Sequence, residues 1–316
     1  MDKVTISTYE FLKRFPDESA ARKHLEYKRW NGSPCCPKCG SAGKMHKQSR
    51  DGVEGYYRCP DCQAVFTIRT GTIFERSHVP LDKWLYTIYL IVTSRKGISS
   101  LQLSKEIGVT QKTAWFMLQR IREACGSDKD DDDSNGFLRG IVEADETYIG
   151  GKETNKHESK KLKVGRGTVG KLAVIGMRQR GGDVKAMLLS GTNAVAIRAA
   201  VRNNVSAGSM LMTDEHASYR GIPEYAHHVV NHSAKQFVDG MAHTNGIESV
   251  WAVLKRGFYG VYHSFSEKHL QRYVDEFAYR LNEGNCKVHI LDRIDALLRR
   301  TVGKRITYAT LTAAKI

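Results

Sequence analysis

The sequence predicts an α/β protein of several domains, in which a small metal-binding ribbon and a pair of helices precede a larger layered domain. Three observations predict this organisation. Two Cys-Pro-x-Cys pairs lie near the N-terminus, two short amphipathic helices joined by a glycine turn follow them, and strand and helix patterns alternate through the second half. At 316 residues, the chain is long enough for two or three folded units of ordinary size.

The composition is that of an ordinary globular protein with a large excess of positive charge. Hydrophobic residues make up 41% and charged residues 26%, which excludes a disordered or low-complexity protein. The 49 Lys and Arg residues outnumber the 34 Asp and Glu residues, so the formal net charge is +15. Such an excess favours a polyanionic partner.

We expect a cytoplasmic protein with no membrane span. The longest apolar stretch, residues 84–92, is far shorter than the ~18 residues that a membrane helix needs. The N-terminal residues show no apolar run of the kind that follows the charges of a secretory signal.

Composition breaks divide the chain into four parts. Residues 128–136 are rich in Asp and are typical of a solvated acidic linker. Before the linker we expect an N-terminal helix and the ribbon in residues 1–72, and a helical pair in residues 73–127. After it we expect one α/β domain over residues 137–316, closed by a helical tail at residues 269–300.

Four cysteines predict a zinc site. Cys36 and Cys39 form one CPxC pair, Cys59 and Cys62 form the other, and 19 residues separate the pairs, a spacing typical of a four-thiolate zinc ribbon. Cys35 could replace Cys36 as a ligand, but the repeated CPxC pattern favours Cys35 as a bystander. Because so small a segment buries little apolar surface by itself, we expect the Zn²⁺ to be structural.

Residues 97–124 have the pattern of a helix-turn-helix. Ser99 or Ser100 can cap a first helix, Gly108 can form the turn, and Thr110 can cap a second helix. The residues that we expect to face inward are Leu101, Leu103, Ile107, Ala114, Met117, Leu118 and Ile121.

The second of these helices carries the candidate DNA-binding residues. In a helix-turn-helix, the outward N-terminal residues of the second helix face the major groove of DNA. Gln111, Lys112 and Trp115 hold those positions, and Arg120 and Arg122 are candidates for contacts nearer the DNA backbone. An ordinary antiparallel helix pair is the alternative; the neighbouring ribbon and the local positive charge favour DNA.

Three acidic residues in the second half are candidate ligands of divalent cations. Asp145 lies within a predicted strand, where a carboxylate is costly unless it is paired or bound to a metal. Asp214 ends another apolar run, and the carboxyl end of a strand is a typical place for a site residue in α/β folds. Glu248 lies near the start of a helix that we expect to begin near Asn245, and Lys255 follows two helical turns later on nearly the same face.

These carboxylates together suit Mg²⁺ or Mn²⁺. Two such ions can activate water and stabilise a leaving oxygen at phosphate. Any one of the three acids, taken alone, is better explained as a surface or salt-bridged residue. The prediction of a metal site therefore depends on all three of them coming together.

Several long motifs follow one another in a characteristic order between residues 36 and 281: CPKCG, YYRCPDC, GVTQKTAWFMLQRIR, VEADETYIGG, LMTDEHASYR and HTNGIESVWAVLKRG. In this order they resemble the DDE transposases of bacterial insertion sequences that carry an N-terminal zinc ribbon, a group related to the Merlin superfamily. The resemblance implies a ribonuclease-H-like α/β catalytic domain with a mixed sheet.

The same resemblance implies the roles of the candidate site residues. Asp145, Asp214 and Glu248 correspond to the metal-binding triad, and Lys255 corresponds to the basic residue seven positions after the glutamate. Related elements can place an Asn in the third triad position, so Asn245 is an alternative for that role. Glu248 is preferred because it stands seven residues before a lysine.

The function implied is that of a transposase acting on double-stranded DNA in the nucleoid of the cytoplasm. It would bind the terminal inverted repeats of its insertion sequence, hydrolyse the phosphodiester at the element ends and join the 3′ hydroxyl to target DNA. Because two ends must be handled together, we expect a homo-oligomer, at least a dimer, in the synaptic complex. Two alternatives are a DNA-binding regulator with an inactive nuclease fold and a structure-selective DNA nuclease.

Overall fold

A computed structural model describes residues 5–50, 52–126, 136–151, 157–161, 168, 170–230, 243–284 and 287–313. The predicted acidic linker lies outside the described residues except for Gly136. The chain divides into two compact units, one formed by Met1–Gly126 with Asn285–Ile316 and the other by Ser127–Gly284. Within the part of the chain that the structure describes, no helix combines the length and the apolar character needed to cross a membrane.

The first unit opens with two helices and a small sheet. These elements are α1 (Thr8–Arg14), α2 (Glu18–Trp30), β1 (His46–Arg50), β2 (Val53–Arg58) and β3 (Val65–Thr67). The three strands are antiparallel in the order β1-β2-β3, as expected for a ribbon. The ring of Trp30, at the end of α2, packs edge-on against Tyr57 and Phe66 at centroid distances of 5.3 and 5.9 Å, so α2 covers one face of the sheet.

Three helices follow the ribbon: α3 (Leu81–Thr93), α4 (Ser100–Ile107) and α5 (Gln111–Cys125). The side chains of Ser99 and Thr110 cap α4 and α5, and Gly108 ends α4 with a φ of 63°. Every residue predicted to face inward in this helix pair is buried except Leu101, which is 51% exposed. The local pattern therefore predicted the two helices, their caps and most of their inner faces.

Arg120 and Arg122 do not lie where a DNA backbone could reach them. Their side chains are buried, at 6% and 1% exposure, and Arg120 Nη1 donates a hydrogen bond to the Ile73 carbonyl at 2.8 Å. Burial also lowers the pKa of Arg120. The prediction for these two residues is wrong because the C-terminal half of α5 is packed on several sides, so that consecutive residues are buried there.

The C-terminal helices α9 (Ile290–Arg299) and α10 (Tyr308–Thr312) belong to the first unit. α9 packs on α2 and α3. The Asp295 carboxylate accepts hydrogen bonds from His24 Nε2 at 3.0 Å and from Lys28 Nζ at 2.6 Å. The expected domain over residues 137–316 therefore extends too far, because these contacts join residues at opposite ends of the chain.

The second unit is built on a five-stranded mixed sheet. Its strands are β4 (Ile141–Ile149), β5 (Leu172–Gln179), β6 (Val184–Leu188), β7 (Met210–Thr213) and β8 (Ala226–Val229). The strand order is β6-β5-β4-β7-β8. β4, β5 and β6 are antiparallel neighbours, whereas β7 runs parallel to β4 and β8 runs parallel to β7. The expected mixed sheet is therefore present.

Helices cover both faces of this sheet. α6 (Ala194–Arg202) packs on one face with Val142 and Ala144 of β4, while α7 (Asn245–Gly257) and α8 (Glu267–Asn282) pack on the other. Because side chains alternate along a strand, the odd-numbered residues of β4 face α7. The predicted helical tail is thus divided, since α8 closes this unit and α9 belongs to the first.

Candidate metal centres and nucleic-acid interface

The four predicted zinc ligands lie together in the first unit. The Sγ atoms of Cys36 and Cys62 are 3.7 Å apart, and those of Cys39 and Cys59 are 3.6 Å apart. All four sulfurs lie within 4.8 Å of one another. Tetrahedral coordination with Zn–S bonds of about 2.3 Å requires sulfurs about 3.8 Å apart. The donor set therefore fits Zn²⁺.

Two equivalent turns present these sulfurs. Gly40 N–H donates to the Cys36 carbonyl at 2.9 Å, and Gln63 N–H donates to the Cys59 carbonyl at 3.1 Å. Both turn residues have positive φ, 74° and 58°, which glycine tolerates best. Cys35 is not part of the sulfur cluster, and its thiol donates to the Gly40 carbonyl at 3.3 Å. Cys35 is therefore a bystander, as predicted.

The turn also favours the thiolate form of its first ligand. Burial raises the pKa of Cys36, but hydrogen bonds from the backbone of Cys39 and Lys38 and from neighbouring thiols outweigh it and lower the pKa to about 7. The thiolate is the form that binds a metal. At Cys39 a backbone hydrogen bond from Ser41 lowers the pKa, but hydrogen bonds with the neighbouring thiols and burial outweigh it and raise the pKa to about 12, so only part of the donor set favours the thiolate form before a cation binds.

In the second unit, the sheet brings two of the predicted acids to neighbouring positions. β4 and β7 run parallel with Glu143 opposite Met212. Asp145 and Asp214 lie two residues further along, and Asp214 directly follows the last residue of β7. Asp145, in the middle of β4, therefore comes to the C-terminal end of the adjacent strand β7, where Asp214 lies.

Helix α7 places Glu248 near this pair. The helix begins at Asn245, as predicted, and Thr244 Oγ1 donates a hydrogen bond to Glu248 Oε1 at 3.2 Å. Asp214 and Glu248 both raise the pKa of Asp145, with Asp214 having the larger effect. Asp214 and Glu248 are thus both within electrostatic reach of Asp145. Among the described residues, however, the cysteine cluster is the only group of three or more ligand side chains within 4.8 Å, so the carboxylates do not form one closed coordination shell.

The surroundings of Asp145 change its affinity for a proton. Burial is the main cause that raises its pKa to about 6, and the charge of Asp214 is the next. Two hydrogen bonds oppose this change, from Glu146 N–H to Oδ1 at 2.8 Å and from Trp251 Nε1 to Oδ2 at 3.0 Å. A partly buried carboxylate beside other acids favours the approach of a cation.

Sequence reasoning missed the contact of Trp251 with Asp145. The spacing held a signal, because Trp251 lies three residues after Glu248 and therefore on the same side of the helix. Gly176 of β5 stands opposite Asp145 in the sheet. A Cβ at Gly176 would lie 2.5 Å from the Trp251 ring, so glycine leaves the space that the indole occupies.

Glu143 is a second residue that sequence reasoning missed. It is 1% exposed, and its Oε2 accepts the Ile247 N–H in the first turn of α7 at 3.0 Å. Arg180 Nε donates to Oε1 at 2.8 Å. A Cβ at Gly246 would lie 2.5 Å from Oε2, so the carboxylate sits directly against the helix backbone. Glu143 therefore joins β4 to the start of α7.

Glu146 points to the opposite face of the sheet from Asp145, as the alternation of a strand predicts. Burial is the main cause that raises its pKa to about 6; the nearby Tyr219 hydroxyl opposes this, although no hydrogen bond of good geometry joins the two groups. Burial also raises the pKa of Tyr219 well above its ordinary value. Glu146 therefore adds a fourth acidic group close to the pair of aspartates.

The remaining candidates lie at the surface. Lys255 is exposed on α7, and Asn245, the alternative third ligand, is exposed at the first position of that helix. Gln111 and Lys112 are exposed at the start of α5, and Trp115 is half-buried one turn later. Their expected contacts with DNA stay a prediction.

Comparison with known proteins gives matches over both units. A family model described as an ISXO2-like transposase domain matches residues 137–282, and one described as a transposase zinc-ribbon domain matches residues 16–65. A Halobacterium salinarum protein, described as an uncharacterized protein in transposable element ISH50, is 30% identical over 281 residues, covering 85% of this chain and 92% of that protein.

Two solved structures share low identity with the chain. A pre-cleavage Mos1 transpososome is 13% identical, covering 71% of this chain and 80% of its own, with a TM-score of 0.20. A Mos1 strand transfer complex is 12% identical, covering 66% and 77%, with a TM-score of 0.19. TM-scores this low carry no argument, whereas the sequence matches span most of the chain. The chain therefore belongs to the IS1595 family of DDE transposases with an N-terminal zinc ribbon.

Proposed function

We propose that this protein binds the terminal inverted repeats of its insertion sequence, hydrolyses the phosphodiester at the element ends and joins the freed 3′ hydroxyl to target DNA. The observation that carries the proposal is the arrangement of Asp145, in the middle of β4, beside Asp214, at the C-terminal end of the adjacent parallel strand β7, with Glu248 close enough to raise the pKa of Asp145. Three acids from three separate elements converge in a protein of net charge +15.

The second unit is the proposed ribonuclease-H-like core. Its first strand, β4, lies in the centre of the sheet; β5 and β6 continue antiparallel on one side, and β7 and β8 continue parallel on the other. Helices cover both faces. This topology supports the fold that the sequence resemblance implies.

Asp145, Asp214 and Glu248 are the proposed ligands of Mg²⁺ or Mn²⁺. Mg²⁺ in proteins keeps several waters and is usually held by one or two carboxylates, so the donor set suits it although the three acids are not within one closed shell. When bound, a pair of such cations supplies an activated nucleophile and stabilises the leaving oxygen at phosphate. Lys255, exposed two turns along α7 from Glu248, is the proposed contact with a DNA phosphate.

The helix pair α4–α5 is the proposed helix-turn-helix that selects the element ends. Its short glycine turn, its two capped helices and the exposed positions of Gln111 and Lys112 support this role. Trp115, one turn after Gln111, is the third candidate for base contacts. The partner is double-stranded DNA, and at least two copies of the chain are needed to hold two ends in one complex.

A cleavage assay on a duplex that carries an element end tests the proposal. With Mg²⁺, we expect the wild-type protein to cut at the end and Asp145→Ala to leave the duplex intact. Asp183→Ala is the matched control, because Asp183 is an exposed acid in the turn at the opposite end of the same sheet. Equal cutting by wild type and Asp145→Ala would contradict the proposed site.

The same assay separates the two alternative functions. Binding of the element end without any metal-dependent strand breakage would indicate a DNA-binding regulator with an inactive nuclease fold. Cutting of branched DNA irrespective of its terminal sequence would indicate a structure-selective nuclease. Cutting followed by joining of the 3′ end to a second duplex is the outcome that transposition requires.

A further inference from the structure

The carboxylate of Asp145 is held from two directions. Its Oδ1 accepts the Glu146 N–H at 2.8 Å, and its Oδ2 accepts the indole Nε1–H of Trp251 at 3.0 Å. The first donor belongs to the backbone of the same strand, so it cannot by itself fix the carboxylate relative to α7. The indole Nε1–H can only donate a hydrogen bond. Because Trp251 belongs to α7, its hydrogen bond joins Asp145 to the helix that carries Glu248.

The space for the indole is built into the neighbouring strand. Gly176 lies opposite Asp145 in β5, and Ala186 lies opposite Gly176 in β6. A Cβ at Gly176 would stand 2.5 Å from both Cζ2 and Cη2 of Trp251. Glycine inside a strand weakens the strand and often marks a close approach of another group. Here the group that approaches is the ring whose N–H reaches Asp145.

The indole ring is buried, which protects this hydrogen bond from competing water. Trp251 is 4% exposed and packs with Ile247 and Leu254 in the cluster between α7, α8 and the sheet. A hydrogen bond from a buried donor to a charged acceptor is stronger than one between neutral groups and is little weakened by competing water. The packing therefore holds the indole N–H in one place.

We propose that Trp251 is a positioning residue for the cation site, that it sets the orientation of the Asp145 carboxylate, and that Gly176 is required to seat it. The proposal rests on the proposed function, in which Asp145 is a ligand. Each Asp145 oxygen has a second lone pair besides the one used by Glu146 or Trp251. Trp251 therefore restricts the rotation of the carboxylate while leaving oxygen lone pairs available to a cation.

Trp251→Phe is the direct test because phenylalanine keeps an aromatic ring but has no N–H. Three quantities are measured on the full chain: the affinity for end-containing DNA, the single-turnover cleavage rate at saturating DNA, and the Mn²⁺ concentration that gives half the maximal rate. We expect DNA affinity to stay within about twofold and the cleavage rate or Mn²⁺ affinity to fall about 10- to 100-fold, the range for residues that orient metal ligands. Leu254→Met, a volume-conserving change in the same cluster, is the packing control and should leave both the cleavage rate and the Mn²⁺ affinity unchanged.

A second pair of variants separates positioning from packing. Gly176→Ala should lower the cleavage rate in the wild-type background, because its methyl group displaces the indole. In the Trp251→Phe background the same substitution should have a much smaller effect, since phenylalanine lacks the part of the ring that meets the methyl group. The remaining contact, 2.9 Å from Ile247 Cδ1, is with the end of a flexible side chain. Additive losses in the two backgrounds would mean that Gly176 and Trp251 act separately and would overturn the proposal.

The outcomes also distinguish this inference from the proposed function. If Asp145→Ala abolishes cleavage and Mn²⁺ dependence while Trp251→Phe behaves as wild type, the inference fails and the proposed function stands. If wild type shows no cleavage that depends on Asp145, both fail. If Trp251→Phe loses DNA affinity in parallel with cleavage, Trp251 supports the fold alone and the inference is overturned.

Discussion

The charge of Asp145 should destabilise the protein in the absence of divalent cations, and Asp145→Asn tests this. Burial and the nearby Asp214 raise the pKa of Asp145 from 3.8 to about 6. Because a tenfold change in proton affinity corresponds to about 1.4 kcal/mol, this difference corresponds to about 3 kcal/mol. Because the pKa is higher in the folded state, proton binding to Asp145 favours folding. This contribution to stability is fully present below pH 3.8, the pKa of the unfolded chain, and is lost as the pH rises through about 6.

The substitution also removes a hydrogen bond. The carboxylate accepts from Glu146 N–H and from Trp251 Nε1 with separate oxygens. Asparagine has one carbonyl oxygen, so one donor is left without an acceptor, at a cost of about 1–2 kcal/mol. Above pH 7, the variant should therefore be more stable than wild type by about 1–2 kcal/mol, after about 3 kcal/mol is gained by removing the charge.

The pH dependence isolates the effect of the Asp145 charge. The cost of the lost hydrogen bond is the same at low and at high pH, so it cancels when the two are compared. Between about pH 4.5 and 7.5, the stability of the variant relative to wild type should rise by about 2 kcal/mol. The free energy of unfolding of the second unit is measured by urea unfolding of the full chain, with hydrogen exchange of peptides from β5 as the readout. Asp183→Asn is the control and should show no such rise.

A difference between Asp145→Asn and wild type that stays constant across this pH range would refute the reasoning. It would show that Asp145 has an ordinary pKa in the folded protein. Mg²⁺ should stabilise wild type more than the variant, since only wild type keeps all three proposed carboxylate ligands.

Three further predictions concern other parts of the molecule. Glu143→Ala should destabilise the second unit by about 3 kcal/mol because it removes the acceptor of the buried Ile247 N–H and of Arg180 Nε. Glu143→Gln should cost less because its amide oxygen can still accept the Ile247 N–H; urea unfolding measures both. Metal analysis should find one zinc ion per wild-type chain. Cys59→Ser should lower this zinc content and increase hydrogen exchange in β2. Lys112→Ala should weaken binding to DNA and reduce its dependence on salt, with a change of about one in the slope of log affinity against log salt concentration.

Much of the local structure was predictable from short-range patterns. The cap at Thr110, the turn at Gly108 and the start of α7 at Asn245 were all expected, because capping residues and apolar periodicity act within a few positions. The cysteine cluster was predicted for the same reason, since two tight turns determine which sulfurs come together. The zinc ribbon is accordingly the part of the chain that was best predicted.

The errors share one physical cause. Arg120 and Arg122 were expected at the surface because basic residues usually are, but α5 is enclosed by other parts of the first unit. The last part of the chain was assigned to the wrong unit because the contacts of Asp295 with His24 depend on packing between distant segments. Neither helical periodicity nor composition contains information about such partners.

The sequence by itself determined which four cysteines cluster, where α5 and α7 begin, and the family, because each of these depends on the identity and spacing of neighbouring residues. Only the tertiary structure decided what surrounds Asp145. Strand pairing brought Asp214 beside it, Glu143 tied α7 to β4, and Gly176 left room for the indole of Trp251. These arrangements depend on the simultaneous packing of segments far apart in the chain, which local chemistry does not specify.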